Sequence, residues 1–317
     1  MDILLLVIGF ILLVKGADYF VDGSASIAKK FRIPSIVIGL TLVAFGTSAP
    51  ELAVSIDAAL AKSNGLVFGN VIGSNIVNTL FVLGLSAAIK PIRVTLQTVF
   101  KEMPFVIIAT VAMMLMSMDQ LIDGSESIIT KVDGWLLLIF FAIYFYSMIE
   151  IIILGKEKHE LEEIELMPFP KSILLTVGGL VAIVFGADLT VKGAVGIADA
   201  LGLSETLIGL TVVAIGTSLP ELITSVVAAK KGENDIAVGN IVGSNIFNIL
   251  LVLGVSATIN PIQIAAENYI DLFILLAAMV VSVPLMYTGK RLSRGEGVFM
   301  VSGYVAYMVY LVVRTIG

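Results

Sequence analysis

Residues 38–92 and 208–262 align without a gap at an offset of 170, with 32 identical residues in 55 positions. The register extends back to Gly16-Ala17-Asp18 against Gly186-Ala187-Asp188. The period is too long for a solenoid unit, so it reads as a duplicated half-molecule. Each copy is strongly apolar. The chain is 58% hydrophobic and 14% charged, where soluble domains carry about a quarter charged residues. A hydrocarbon core takes about 20 apolar residues per helix. Ten segments qualify, near 3–28, 35–60, 66–89, 96–117, 127–154, 172–198, 205–229, 236–259, 269–288 and 296–315. Five spans per half is an odd number, so the second half must enter the membrane upside down relative to the first. Inverted repeats of this kind build transporters, with the site near the midplane where the halves meet. The expected fold is therefore an all-α polytopic membrane protein of ten transmembrane helices in two inverted five-helix repeats. Residues 1–155 form the first repeat, 156–171 a linker and 172–317 the second repeat. The N-terminus lacks a basic leader region and reads as the first span rather than a cleaved signal.

Lysine and arginine in the short loops set the orientation. With the N-terminus outside, one set of loops holds Lys29, Lys30, Arg32, Lys90, Arg93, Lys101, Lys156, Lys158, Lys171, Lys230, Lys231, Lys290, Arg291 and Arg294. The other set holds Lys62, Lys131 and Arg314. Both termini are expected outside the cell membrane, and the acidic linker in the cytoplasm. Lys29, Lys30 and Arg32 have Asp199, Ala200 and Gly202 as repeat mates, so the two copies carry opposite charge signals, as inversion requires. Scattered basic residues give no nucleic-acid footprint. The absence of cysteine excludes disulfides and thiolate metal sites.

The stretch GTSAPEL, Gly46 to Leu52, recurs as GTSLPEL, Gly216 to Leu222. Pro50 has no amide hydrogen for the carbonyl of Gly46, so the second span breaks between these residues, and the seventh should break the same way. The freed carbonyls need partners. Glu51 and Glu221 follow the breaks near the midplane, where a charge costs about 2.5–3.5 kcal/mol on insertion scales. The neighbouring stretches GNVIGSNIVN and GNIVGSNIFN add Ser74 and Asn78, and Ser244 and Asn248. Ser74 and Asn78 are four residues apart and share a helix face. The small pair Gly69/Gly73 allows close backbone approach, which should bring that face against the break. The inventory is two carboxylates, two amides, six hydroxyls (Thr47, Ser48, Ser74, Thr217, Ser218, Ser244) and carbonyl oxygens. All-oxygen ligands suit hard cations, Ca²⁺ in particular. Zinc or copper would want His or Cys.

At these motifs the chain resembles the sodium/calcium exchangers of the cation/Ca²⁺ antiporter superfamily. GTSAPE with GNVIGSNIVN is similar to the family's first repeat, GTSLPE with GNIVGSNIFN to its second. The resemblance covers the whole chain and implies a prokaryotic-type member, since the large regulatory loop of animal exchangers is missing. It implies Glu51 and Glu221 as central ligands for Ca²⁺ and Na⁺, with the carbonyls of Thr47 and Thr217 completing the Ca²⁺ shell. One Na⁺ site would use Ala44, Thr47, Ser48 and Ser74. Its mirror would use Ala214, Thr217, Ser218 and Ser244. Asn78 and Asn248 would flank the middle. Potassium-dependent relatives usually carry aspartate at the position of Asn248, so asparagine implies K⁺ independence. Spans 1 and 6 would slide across the rest. Exchange would be electrogenic, three Na⁺ for one Ca²⁺. The ions are substrates, the bilayer is the partner, and no cofactor, nucleic acid or obligate protein partner is implied.

Other polar residues read more plainly. Asn75 and Asn245 are expected to be structural. Asp57 has Val227 as its mate, Asp18 and Asp188 lie toward span ends, and His159 sits in the charged linker. The alternative activity is Ca²⁺/H⁺ antiport, because a glutamate can trade a proton for a metal ion. A passive channel fits worse, since a pore needs weak binding at many sites. An intramembrane enzyme fits worse still: the spans hold no histidine and no HExxH motif.

Overall fold

The computed structural model describes residues 1–122, 124–155, 167–201 and 214–316. Long helices follow the apolar runs: α1 Asp2–Phe31, α4 Asn64–Ile89, α5 Thr98–Ser117, α7 Lys131–Gly155, α8 Phe169–Ala200, α11 Asn234–Ile259, α12 Asn268–Tyr287 and α13 Arg294–Ile316. These eight are long and apolar enough to cross a membrane. The bent pair α2 Ser35–Thr47 and α3 Ala49–Leu60, which meet at 47°, makes a ninth such segment when the two are taken as one span. The counterpart pair is α9 Ala214–Thr217 and α10 Leu219–Lys231, because the start of the expected seventh span lies outside the described residues. So does most of the linker, His159 included. The short α6 is Asp119–Ile122.

Burial orders the helices. Over its most apolar window α11 is 94% buried and α7 is 17% buried. The two GN-GSN helices, α4 and α11, therefore form the centre, while α1, α7, α8 and α13 clothe it with exposed apolar side chains such as Phe10, Trp135, Phe185 and Phe299. Such a large apolar exterior is what lipid contact demands.

Two tiny β-pairs were not foreseen in an all-α fold. Strand β1 (Ile92–Arg93) pairs antiparallel with β4 (Arg291–Leu292), and β2 (Ile128–Ile129) with β3 (Ile262–Gln263). Each joins a loop of the first half to one of the second. The turns leave backbone donors beside buried Ile92 and Ile262, and pairing satisfies them.

Helices α1 and α8 run antiparallel at backbone contact. A Cβ on Gly16 would lie 2.9 Å from the Gly179 carbonyl oxygen, one on Gly186 2.8 Å from that of Gly9, and one on Gly193 2.6 Å from that of Asp2. Only glycine fits there. Ser26 and Ser172 close the seam with hydroxyls 2.8 Å apart. At its Lys-rich end α1 is tied to the α10–α11 corner: Lys231 contacts Asp18 at 2.7 Å and Asp22 at 2.6 Å, and Lys29 reaches Glu233 at 3.2 Å. Asp188 instead pairs within its own helix with Lys192 at 2.7 Å.

Candidate cation site at the helix breaks

The two breaks have the same backbone geometry. Ser48 sits at φ −86°, ψ 5° and Ser218 at φ −90°, ψ 6°. In each copy the proline follows within the first turn of the new helix, where its missing amide costs nothing. Restarting the helix at Ser48 and Ser218 places Glu51 and Glu221 in the first turns of α3 and α10, beside unpaired amide donors that favour negative charge.

Both glutamates are buried, at 1% and 0% exposure. The surroundings come from both halves. Ser48 donates its hydroxyl to Glu221 Oε1 at 3.0 Å, and Ser244 donates to the same oxygen at 3.3 Å. Thr47 donates to Asn240 Oδ1 at 2.9 Å, and its hydroxyl lies 3.4 Å from that of Ser244. Ala44 is fully buried, and its carbonyl accepts the Ser48 amide at 3.0 Å. Ser244, which the resemblance groups with Thr217 and Ser218, thus stands against Thr47 and Ser48. The cause is packing: α2 lies on α11 through Gly39 and Gly239, where an added Cβ would meet the opposing Cα at 2.9–3.0 Å.

The other end of the site is less engaged. Both Glu51 carboxyl oxygens, Glu221 Oε2, the Ser218 hydroxyl, and all side-chain polar atoms of Asn78 and Asn248 are buried without a hydrogen-bond partner. Ser74 is buried at 3% exposure. Ala214 opens α9 and Thr217 ends it, half-buried. Thr217, Asn70 and Gly73 line a cavity of about 740 Å³ that runs to Gln263, Glu267, Asn268 and Arg314. Among the described residues nothing stands within 4 Å of a Cβ built on Gly69 or Gly73, so this small-residue pair borders the cavity, while its mate Gly239/Gly243 makes the close helix contact.

Buried polar atoms left unpaired cost about 1–3 kcal/mol each. Those on the two glutamates, Ser218, Asn78 and Asn248 are carboxylate, hydroxyl and amide groups. The oxygens among them are of the kind that coordinate a desolvated hard cation. Among the described residues no group of three or more His, Cys, Asp or Glu could hold a resident metal; two carboxylates suit a cation that passes through.

Asn78 and Asn248 sit on π-helical turns, Val77–Val82 and Phe247–Val252, a distortion frequent at functional sites. Asn245 donates to Thr79 at 2.9 Å, an interhelical bond as expected; Asn75 has none. Sequence reasoning passed over Asn70 and Asn240, with Ser55 and Ser225. All four recur at the same offset of 170, and that recurrence was the available signal.

Comparison with known proteins gives a consistent picture. Residues 1–149 and 171–313 match the family described as "Sodium/calcium exchanger protein". The chain is 39% identical to "Putative antiporter CaxA" of Alkalimonas amylolytica over 96% of both chains. It is 33% identical to "Sodium/calcium exchanger MaX1" of Methanosarcina acetivorans over 98% of both. Among solved structures, the sodium-calcium exchanger NCX_Mj soaked with Na⁺ and Sr²⁺ superimposes with a TM-score of 0.82 at 32% identity, covering 97% of each chain.

Proposed function

We propose that this chain, which belongs to the sodium/calcium exchanger family, exchanges Na⁺ for Ca²⁺ across the cell membrane by alternating access. The carrying observation is the pair of buried glutamates whose oxygens lack sufficient partners, ringed by hydroxyls and amides from both halves. Two carboxylates neutralise one Ca²⁺ or two Na⁺, so the two ions compete for one centre and must alternate. Glu51 and Glu221 are the shared ligands. Thr47, Ser48, Ser244 and the Ala44 carbonyl serve one flank. Thr217, Ser218, Ser74 and the Ala214 carbonyl serve the other, with Asn78 and Asn248 between. Asparagine at both middle positions favours independence from K⁺. Ten spans in two inverted halves, 1–155 and 172–317, carry the site, with termini outside and the 156–171 linker in the cytoplasm. In that orientation the cavity beside Thr217 opens outward.

Vesicle flux tests the reading. Proteoliposomes loaded with Na⁺ should take up ⁴⁵Ca²⁺, and replacing external choline by K⁺ should leave the rate unchanged. Uptake driven by a pH gradient and indifferent to Na⁺ would establish Ca²⁺/H⁺ exchange instead. If three Na⁺ leave per Ca²⁺, one positive charge leaves per cycle, so an inside-positive potential speeds uptake. Indifference to potential points to an electroneutral two-for-one exchange. Glu51→Gln and Glu221→Gln should each reduce uptake to that of empty vesicles; wild-type flux in either would remove that glutamate from the site.

A further inference from the structure

We infer that Asn70 and Asn240 are positioning residues that fix the two glutamate-bearing turns. Asn70 Nδ2 donates to the Glu51 carbonyl at 3.3 Å and to Ser55 Oγ at 2.9 Å. Asn240 Nδ2 donates to the Glu221 carbonyl at 3.3 Å and to Ser225 Oγ at 2.9 Å. The two copies match in every partner and distance. Ser55 is four residues beyond Glu51, so a single NH₂ group spans one helical turn from the glutamate carbonyl to the serine hydroxyl. An amide side chain can do this because its nitrogen carries two donor hydrogens.

Ser55, Ser225 and Asn240 have no exposed surface, while Asn70 is half-buried at the cavity. The glutamate carbonyl has a second lone pair besides the one used within the helix, and the asparagine occupies it from the neighbouring span. This fixes the height and rotation of the turn, and with them the direction of the glutamate side chain. Asn240 does more, because its Oδ1 accepts the Thr47 hydroxyl at 2.9 Å. It thereby links the Glu221 turn to the break of the other half. Groups that orient a ligand from behind commonly change metal affinity about 10–100-fold when removed.

The assignment rests on the exchanger reading, and its test separates the two. Purified wild type, Asn70→Ala, Asn240→Ala, Ser55→Ala and Ser225→Ala are compared for Na⁺-driven ⁴⁵Ca²⁺ uptake and for hydrogen–deuterium exchange of the 49–56 and 219–226 peptides. Each asparagine variant should raise the KM for Ca²⁺ about tenfold or more, with kcat within about threefold. Each should also speed deuteration of its own glutamate turn, and Asn70→Ala should leave the 219–226 turn as in wild type. Serine variants should show a smaller rise in the same direction, and the Asn70→Ala/Ser55→Ala double variant should match Asn70→Ala, since the one bond that Ser55→Ala removes is already lost with Asn70. Unchanged KM in folded asparagine variants, or a fall in kcat alone, overturns the positioning role. If wild type itself shows no exchange, the exchanger reading fails, and deuteration decides the role by itself: turns that exchange as in wild type reject it.

Discussion

At the residue scale, the bond from Ser48 to Glu221 joins the halves at the proposed cation site. A hydrogen bond to a charged group is worth about 1.5–3 kcal/mol. Ser48→Ala should therefore lower the melting temperature and, with a proposed ligand hydroxyl gone, weaken Na⁺ binding about tenfold, read from the Na⁺ dependence of Ca²⁺ efflux. An unchanged Na⁺ dependence would place Ser48 outside the shell. That the glutamates and asparagines lie buried beside the helix breaks was legible because the motif occurs twice. Which hydroxyl faces which carboxylate was not legible. Ser48 reaches the glutamate of the other half, and Ser244 stands with Thr47. Both facts depend on where α2 crosses α11, and a linear motif carries no crossing point. Asn70 and Asn240 were in plain view in the repeat, yet their task appears only once α3 and α10 stand against α4 and α11.

At the element scale, the break was predictable from proline chemistry, and its position and direction agree with the sequence: each new helix starts just after the serine. The β-pairs were not predictable, because two-residue strands have no periodicity and form only when loops from different halves meet. The glycine seam of α1 and α8 is a packing device with a sharp test. Overfilling a tight contact costs about 1–3 kcal/mol or more. Gly16→Val should lower the melting temperature of the detergent-purified protein by several degrees. Gly178→Ala, where no described atom lies within 4 Å of the added Cβ, should leave it in place. Equal melting temperatures for both variants would contradict the seam.

At the scale of the whole molecule, the positive-inside count assigns a sidedness that a cysteine-free chain makes simple to check. Gly65→Cys, at the cavity mouth, should react with an impermeant maleimide added to intact cells. Lys30→Cys, at the opposite end of α1, should react only after the membrane is opened. The reverse pattern would invert the orientation and turn the cavity toward the cytoplasm. The same large-scale view gives the seam a mechanical meaning. Gly9, Gly16 and Gly23 recur every seven residues on α1, and Gly179, Gly186 and Gly193 every seven on α8. Seven residues of helix rise about 10.5 Å. Any smaller slip of one helix along the other drives a side chain into a backbone, so the teeth of this rack stay engaged. The two helices, one from each half, are thereby locked in register with one another.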